Sequence, residues 1–380
     1  MGERPDLIIV GGGLAGGLAA LAVVRAHPDL DVRLVERDGS LGGNHVWSFF
    51  DSDLGEEELA LVRPMVVQSW ECNSVRFPKY RRVFDQRYNS ITSDRFDEEL
   101  RKKLGDRIMH ADVCEIGPTH IKLSDGTKMQ AGATLDARGI NCRPEALRCG
   151  FQKFVGQMLE VEGGHGLSHP IIMDATVDQA DGYRFVYCLP FDENRVFVED
   201  TYYQLEPQLD RRMLAQRIGA YAAEQGWANH RVLHEEDGVL PVVMDGEWEK
   251  LWPKDSPVAR AGVRGGFFHY LTSYSLPHAA SFATWLAAEM PMDGEALAKA
   301  TRKRATDHWK DTGFERMLTR MLFNAADPPQ RWRVMQRFYS LPAGLIERFY
   351  AGKSTFRDKF RTLAGVPPVR ISRAIKAIME

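Results

Sequence analysis

Cysteine is scarce in this chain. Five occur in 380 residues (Cys72, Cys114, Cys142, Cys149 and Cys188), and no two form a Cys-x-x-Cys pair. An odd, scattered set excludes a disulfide framework and a structural zinc site, and reads as reduced thiols in a cytoplasm. The chain also has no large excess of charge: a net of -3 gives no overall attraction to nucleic acid. It contains no Gly-x-Ser-x-Gly elbow, no His-Glu-x-x-His pair and no P-loop, which removes the common hydrolase, zincin and nucleotide-triphosphatase readings. His230 and His234 have helical metal-ligand spacing but run into a strand at 238–243, and His165 and His169 are flanked by glycines, so no metal site is expected. One long uncharged run exists, LIIVGGGLAGGLAALAVV at 7–24, yet five glycines interrupt it. Glycine is a poor helix former and suits a tight strand-to-helix turn, so neither a membrane span nor a cleavable signal is expected there.

The residues that are present describe a globular protein. A hydrophobic content of 44% over 380 residues is enough for a sizeable core and two connected domains. Residues 6–10 read as a buried strand, and 14–27 as a helix that stops before Pro28. Between them lies Gly11-Gly12-Gly13-Leu14-Ala15-Gly16, and a second strand at 31–36 ends in Glu36, 20 residues beyond Gly16. This is a Rossmann unit: glycines admit a pyrophosphate, the helix N-terminus offers N–H donors and positive dipole, and Glu36 is placed for ribose hydroxyls.

The stretch after Glu36, Arg37-Asp-Gly-Ser-Leu-Gly42-Gly43-Asn44-His45, resembles the extended fingerprint of FAD proteins of the glutathione-reductase type. A meander with an Asp125-Gly126 turn then leads to Ala133-Thr-Leu-Asp136-Ala-Arg-Gly139, which resembles the second flavoprotein motif. A third piece runs from Ala259 through Gly262 to Ser275-Leu276-Pro277, where Ser275 is placed to cap a helix with Pro277 in its first turn. The expected cofactor contacts are therefore Gly11, Gly12, Gly13, Leu14, Ala15, Gly16, Glu36, Arg37, Gly43, His45, Asp136, Gly139, Gly262 and Leu276.

Six further segments carry a narrower likeness: Asn44-His-Val-Trp-Ser-Phe-Phe-Asp51, Tyr187-Cys-Leu-Pro-Phe191, Val198-Glu-Asp-Thr201, Gly238-Val-Leu-Pro241, Ser273-Tyr-Ser-Leu-Pro277 and Leu345-Ile-Glu-Arg-Phe-Tyr-Ala-Gly352. In this order they resemble the bacterial lycopene beta-cyclase family over nearly the whole chain. The fold implied is α/β (α+β) and flavoprotein monooxygenase-like, a Rossmann-type FAD-binding domain with an inserted mixed or antiparallel sheet. The expected division is an FAD domain at 1–140 with a small meander at 111–135, a mainly substrate-binding sheet at 141–258, a returning FAD segment at 259–290, and a helical, basic-aromatic region at 291–380. One position departs from the family: a serine, Ser273, stands where a glycine is expected.

The resemblance implies a redox-neutral reaction. Lycopene has no handle for a nucleophile, so ring closure begins with protonation of its terminal double bond; the cation at C1 is attacked by the C5–C6 double bond, and proton loss from C6 leaves a beta ring. Such chemistry needs a carboxylic acid kept neutral by burial, and an electron-rich group such as reduced flavin or an aromatic face near the cation. The resemblance also implies reduced FAD as cofactor, with NAD(P)H as a source of its electrons. Two other readings share parts of this pattern: a flavin monooxygenase of an apolar or aromatic substrate, and a non-catalytic flavin or isoprenoid binder.

The acid is sought in RVFVEDTYY, residues 195–203. In a regular strand Phe197, Glu199, Thr201 and Tyr203 face one way, and Val196, Val198, Asp200 and Tyr202 the other. The aromatic neighbours favour Glu199, where the resemblance also puts the family's essential acid, with Asp200 as support. The competing expectation is that both carboxylates pair with arginines such as Arg184 or Arg195. His45 and Trp47 follow the FAD fingerprint and suit core packing and a flavin-side place equally. Finally, residues 329–376 hold 11 Lys/Arg against two acids, a local charge of +9 that leaves -12 for the rest. Basic residues interleaved with aromatics suit an anionic membrane surface, nucleic acid being the rival, and an apolar substrate drawn from a bilayer favours peripheral attachment to the cytoplasmic face of the inner membrane.

Overall fold

The computed structural model describes residues 4–139, 145–180, 182–365 and 368–379. Leu7–Val10 is buried at every position and forms the middle of a five-stranded parallel sheet, ordered Ala259–Arg260, Ala133–Asp136, Leu7–Val10, Val32–Glu36, Ile108–His110. A continuous apolar strand is what a sheet covered on both faces requires. The uncharged run at 7–24 is thus divided: strand, glycine turn, then the helix Leu14–Ala26, which ends at His27 before Pro28. Among the described residues no helix is long and apolar enough to cross a membrane. The meander comprises Val113–Gly117, His120–Leu123 and Lys128–Gln130, with Gly126 at φ 92° in its turn.

The second large sheet has seven strands, ordered His230–Gly246, Leu147–Val161, Arg195–Gln204, Tyr183–Pro190, Ile171–Asp174, Asn73–Phe77, Tyr80–Phe84. All its pairings are antiparallel except Ile171–Asp174 with Asn73–Phe77. Its last two strands come from within the first 140 residues, so the sheet draws on both sides of the boundary at residue 140. Arg195–Gln204 pairs residue for residue with both neighbours and carries no bulge. Val196, Val198 and Tyr202 pack on one face against Leu214, Ile218 and Tyr221 of the helix Arg211–Glu224, which Asp210 caps by accepting from the Met213 N–H. Phe197 and Tyr203 join the aromatic core on the other face.

The helices after residue 290 close the aromatic face. Trp332–Tyr339 and Ala343–Tyr350 contribute Phe338, Tyr339, Leu345, Ile346 and Phe349 to that core. Their basic residues do not behave alike. Arg331 is 3% exposed, and its guanidinium donates to the carbonyls of Leu322, Phe323 and Tyr203, so it is an internal brace rather than a surface charge. His230 and His234 lie on a strand, where their side chains cannot share a helical face. Cys72, Cys114, Cys149 and Cys188 form no disulfide among the described residues, and Cys142 lies outside them.

Candidate active site

A cavity of about 800 Å³ runs from the glycine turns of the parallel sheet to the aromatic face of the seven-stranded one. At its first end, a Cβ on Gly16 would sit 1.9 Å from the Gly11 carbonyl oxygen, so only glycine lets the helix Leu14–Ala26 start this close to the strand. Gly262, at φ 57°, would place a Cβ 2.7 Å from that of Ala15, which brings the 262–276 segment against the same helix end. Two helix N-termini therefore meet the cavity, at Gly13-Leu14 and at Ser275-Leu276, and neither is closed by a side-chain cap. Ser275 occupies the capping position as expected from the sequence, but its hydroxyl makes no capping bond. Uncapped N–H groups with the positive dipole end suit an anionic ligand such as a diphosphate.

Of the sequence-predicted contacts, Gly11, Gly13, Leu14, Ala15, Glu36, Arg37, Gly43, His45, Gly139, Gly262 and Leu276 line this cavity. Glu36 accepts from the Gly12 N–H at 2.6 Å and the Arg37 N–H at 2.7 Å, which fixes its carboxylate beside the glycine turn. Gly12 and Gly16 shape the wall from behind. Asp136 is also set back: it holds Arg138 (2.9 Å) and Arg264 (3.3 Å), and both arginines line the cavity.

At the far end the lining is aromatic, including Trp47, Phe50, Tyr88, Tyr187, Tyr274 and Tyr350. Strand alternation divides the two carboxylates of Val198-Glu-Asp-Thr201. Glu199 faces the cavity, where the Thr201 hydroxyl donates to it. No basic side chain among the described residues forms an ion pair with it, and burial pushes its carboxyl up to about 7. Asp200 points the opposite way with 0% exposure, held by Arg184 through Nε at 3.0 Å and Nη2 at 2.5 Å. The structure thus does not bring Asp200 to the reacting space; the arginine pairing expected as an alternative applies to Asp200 alone.

Two further buried carboxyls were not singled out in the sequence. Glu236, 2% exposed, lines the cavity and accepts from the Val46 N–H at 2.7 Å, with His45 Nδ1 3.9 Å away. Burial, reinforced by the charge of Glu199, pushes it up to about 9. Asp53 accepts from the Tyr274 hydroxyl at 2.8 Å and the Phe50 N–H at 2.9 Å, while its Oδ1 has no partner; burial pushes it up to about 7. His45 and Trp47 both line the cavity, and Trp47 also packs edge-on against Phe96. Ser273, where the family resemblance expects glycine, sits at φ 57° and donates its hydroxyl to the Pro241 carbonyl at 2.5 Å. The left-handed backbone explains the preference for glycine, and the hydroxyl bond offsets part of the strain of departing from it.

Comparison with known proteins agrees with this architecture. In fold, the chain is similar to the geranylgeranyl bacteriochlorophyll reductase-like protein of Thermoplasma acidophilum, at a TM-score of 0.67 with 12% identity over 99% of both chains. It is also similar to Klebsiella pneumoniae HpxO complexed with FAD and uric acid, at a TM-score of 0.63 with 13% identity over 92% of this chain and 96% of that one. These likenesses establish a Rossmann-type flavoprotein fold. In sequence, the chain is 44% identical over 375 residues to the lycopene beta-cyclase of Pantoea ananas, covering 98% of each. The model of the family described as lycopene cyclase protein matches residues 6–376, from the first strand of the glycine turn to the last helix. With the glycine turns, the aromatic cavity and the strand that carries Glu199 all inside that match, the chain belongs to the lycopene cyclase family.

Proposed function

We propose that this protein is a lycopene beta-cyclase that closes the psi end groups of lycopene to beta rings, by way of gamma-carotene to beta-carotene, without net redox change. The observation that carries the reading is Glu199: a carboxyl pushed up to about 7 by burial, unpaired with a cation, in a cavity whose far end is aromatic. A group so poised holds a proton near neutral pH and can deliver it to an alkene, the acid role that the reaction demands. Phe197 and Tyr203 on the same strand, with Tyr187 opposite, offer faces that stabilise positive charge. Arg184 anchors Asp200 behind the sheet, and unbroken pairing with both neighbouring strands keeps the register that aims Glu199 inward.

The cofactor we assign is FAD. The fit rests on the two uncapped helix ends, on Arg138 and Arg264 at the wall, and on Glu36 beside the turn. In its reduced form such a cofactor would supply negative charge to offset a carbocation, and NAD(P)H is the electron source we assign to it. Gly13-Leu14 and the Ser275-Leu276 helix end are the groups that would hold its anionic parts. Docking on an anionic membrane surface is supported by the last helices: Phe356 and Phe360 are 84% and 68% exposed, Ile371 and Ile375 lie beyond them, and Arg357, Lys359 and Arg361 flank the first pair. Purified protein given lycopene and chemically reduced FAD under anoxia should form beta rings without net flavin oxidation. An absolute requirement for oxygen would overturn the reading. Glu199→Gln should keep FAD and lose cyclisation, and full activity in that variant would remove Glu199 from the mechanism.

A further inference from the structure

Residue 156 is a glycine with a carboxyl on either side. In the seven-stranded sheet Gly156 stands opposite Glu199 on one neighbouring strand and opposite Glu236 on the other. Directly opposed residues share a face, and two strand steps separate their Cα atoms by about 10 Å. Two glutamate side chains rising from one face can therefore reach the same end group between them. The space over Gly156 is filled by the ring of Phe197, because a Cβ there would fall 2.2 Å from its Cζ. The cavity floor is thus an aromatic ring with an acid on each flank.

Cyclisation moves two protons, one onto C2 and one off C6, and the proposed function assigns a residue only to the first. Resting on that reading, we infer that Glu236 is the second catalytic carboxyl, the group that receives the proton leaving C6. The O–H bond of Glu199 breaks as the C2–H bond forms. The proton of Glu236 then passes to the Glu199 carboxylate, and the Glu236 carboxylate so created takes the C6 proton as the ring double bond forms. The pair begins and ends with two protons, so neither an oxidant nor an outside acid is consumed.

The surroundings of Glu236 agree with a starting neutral acid. Glu199 shares its face of the sheet two strands away, Glu235 and Asp237 flank it on its own strand, and His45 faces it at 3.9 Å. Burial and the neighbouring negative charges favour the neutral form, and burial lowers the proton affinity of His45, so the imidazole does not cancel them. The Val46 N–H bond fixes the carboxyl toward the cavity.

The test uses the full-length protein with Glu236→Gln, which keeps an acceptor for the Val46 N–H but cannot ionise. Expected are retained FAD, turnover lowered about 100-fold or more, a kinetic isotope effect with C6-deuterated lycopene that the parent lacks, and rings whose double bond is displaced toward C4 or the methyl carbon. Parent-like rate and exclusively beta rings would overturn the inference. So would a slower reaction with neither the isotope effect nor displaced double bonds, which marks a merely structural residue. If Glu236→Gln loses FAD, Glu236→Asp, which withdraws the acid by one methylene, is judged by the same isotope and product criteria. An infrared difference spectrum at pH 8 between parent and Glu236→Gln reads the proton without any turnover: a neutral carboxyl band lost in the variant is expected, and its absence from the parent overturns the inference. Failure of the cyclase reading shows separately, as a parent protein that forms no rings at all.

Discussion

The buried pair of Asp200 and Arg184 permits a decisive test of which carboxylate of Val198-Glu-Asp-Thr201 is structural. The two side chains are 0% and 10% exposed and joined by contacts of 2.5 to 3.0 Å. Arg184→Met strands an ionised carboxylate in the interior, and Asp200→Leu strands a guanidinium; each should cost about 3–5 kcal/mol. The double variant removes both charges and fills the space with apolar atoms, so its cost should fall to within about 1 kcal/mol of the parent, a coupling of at least about 5 kcal/mol. Urea unfolding followed by tryptophan fluorescence measures each arm of the cycle. Cyclisation should survive in the double variant within a few-fold, because neither residue touches the cavity. If Arg184→Met costs under about 1 kcal/mol, or the double variant is as inactive as Glu199→Gln, the assignment of Asp200 to the scaffold is wrong.

Three other outcomes follow from the site. Folded Glu199 keeps its proton to about pH 7, while in the unfolded chain it ionises near 4.5. The unfolded form thus binds fewer protons between these values, and stability should fall with rising pH across that window by at most about 3 kcal/mol; Glu199→Gln should flatten the slope in thermal melts taken from pH 4 to 8. At position 273, Ser273→Gly relieves the left-handed backbone but loses the bond to Pro241, two effects of about 1 kcal/mol each that nearly cancel, whereas Ser273→Ala keeps the strain and loses the bond, so urea midpoints should rank glycine near the parent and alanine below it. Replacing Phe356 and Phe360 together by serine should reduce flotation with anionic liposomes at least several-fold and leave the unfolding midpoint unchanged, since both rings already face solvent.

What could be read from the sequence, and what could not, divides along local and long-range lines. The glycine turn, the helix end before Pro28 and the alternation of 195–203 depend on neighbours a few residues apart, and each is found where the pattern puts it. Glu236 stands just before the strand expected at 238–243; carrying the two-residue alternation back from Leu240 through Gly238 sets it on the cavity face. Arg331 was grouped with membrane-facing charges, since nothing nearby in sequence announces the three carbonyls that bury it. The strands at 73–84 gave no sign that they finish a sheet begun after residue 146, because their partner Ile171–Asp174 is about a hundred positions away.

That last pairing also orders events during synthesis. Ala133–Asp136 waits for Ala259–Arg260, and Asn73–Phe77 waits for Ile171–Asp174, so neither large sheet can close from its N-terminal part alone. The pieces that meet at the glycine turn come from both ends of this span, with Gly262 and Leu276 emerging last. A ribosome must therefore have released nearly three quarters of the chain before a nascent molecule can capture a dinucleotide. Until then the apolar strands stand with open edges, and chaperones, rather than the cofactor, are what can shield them.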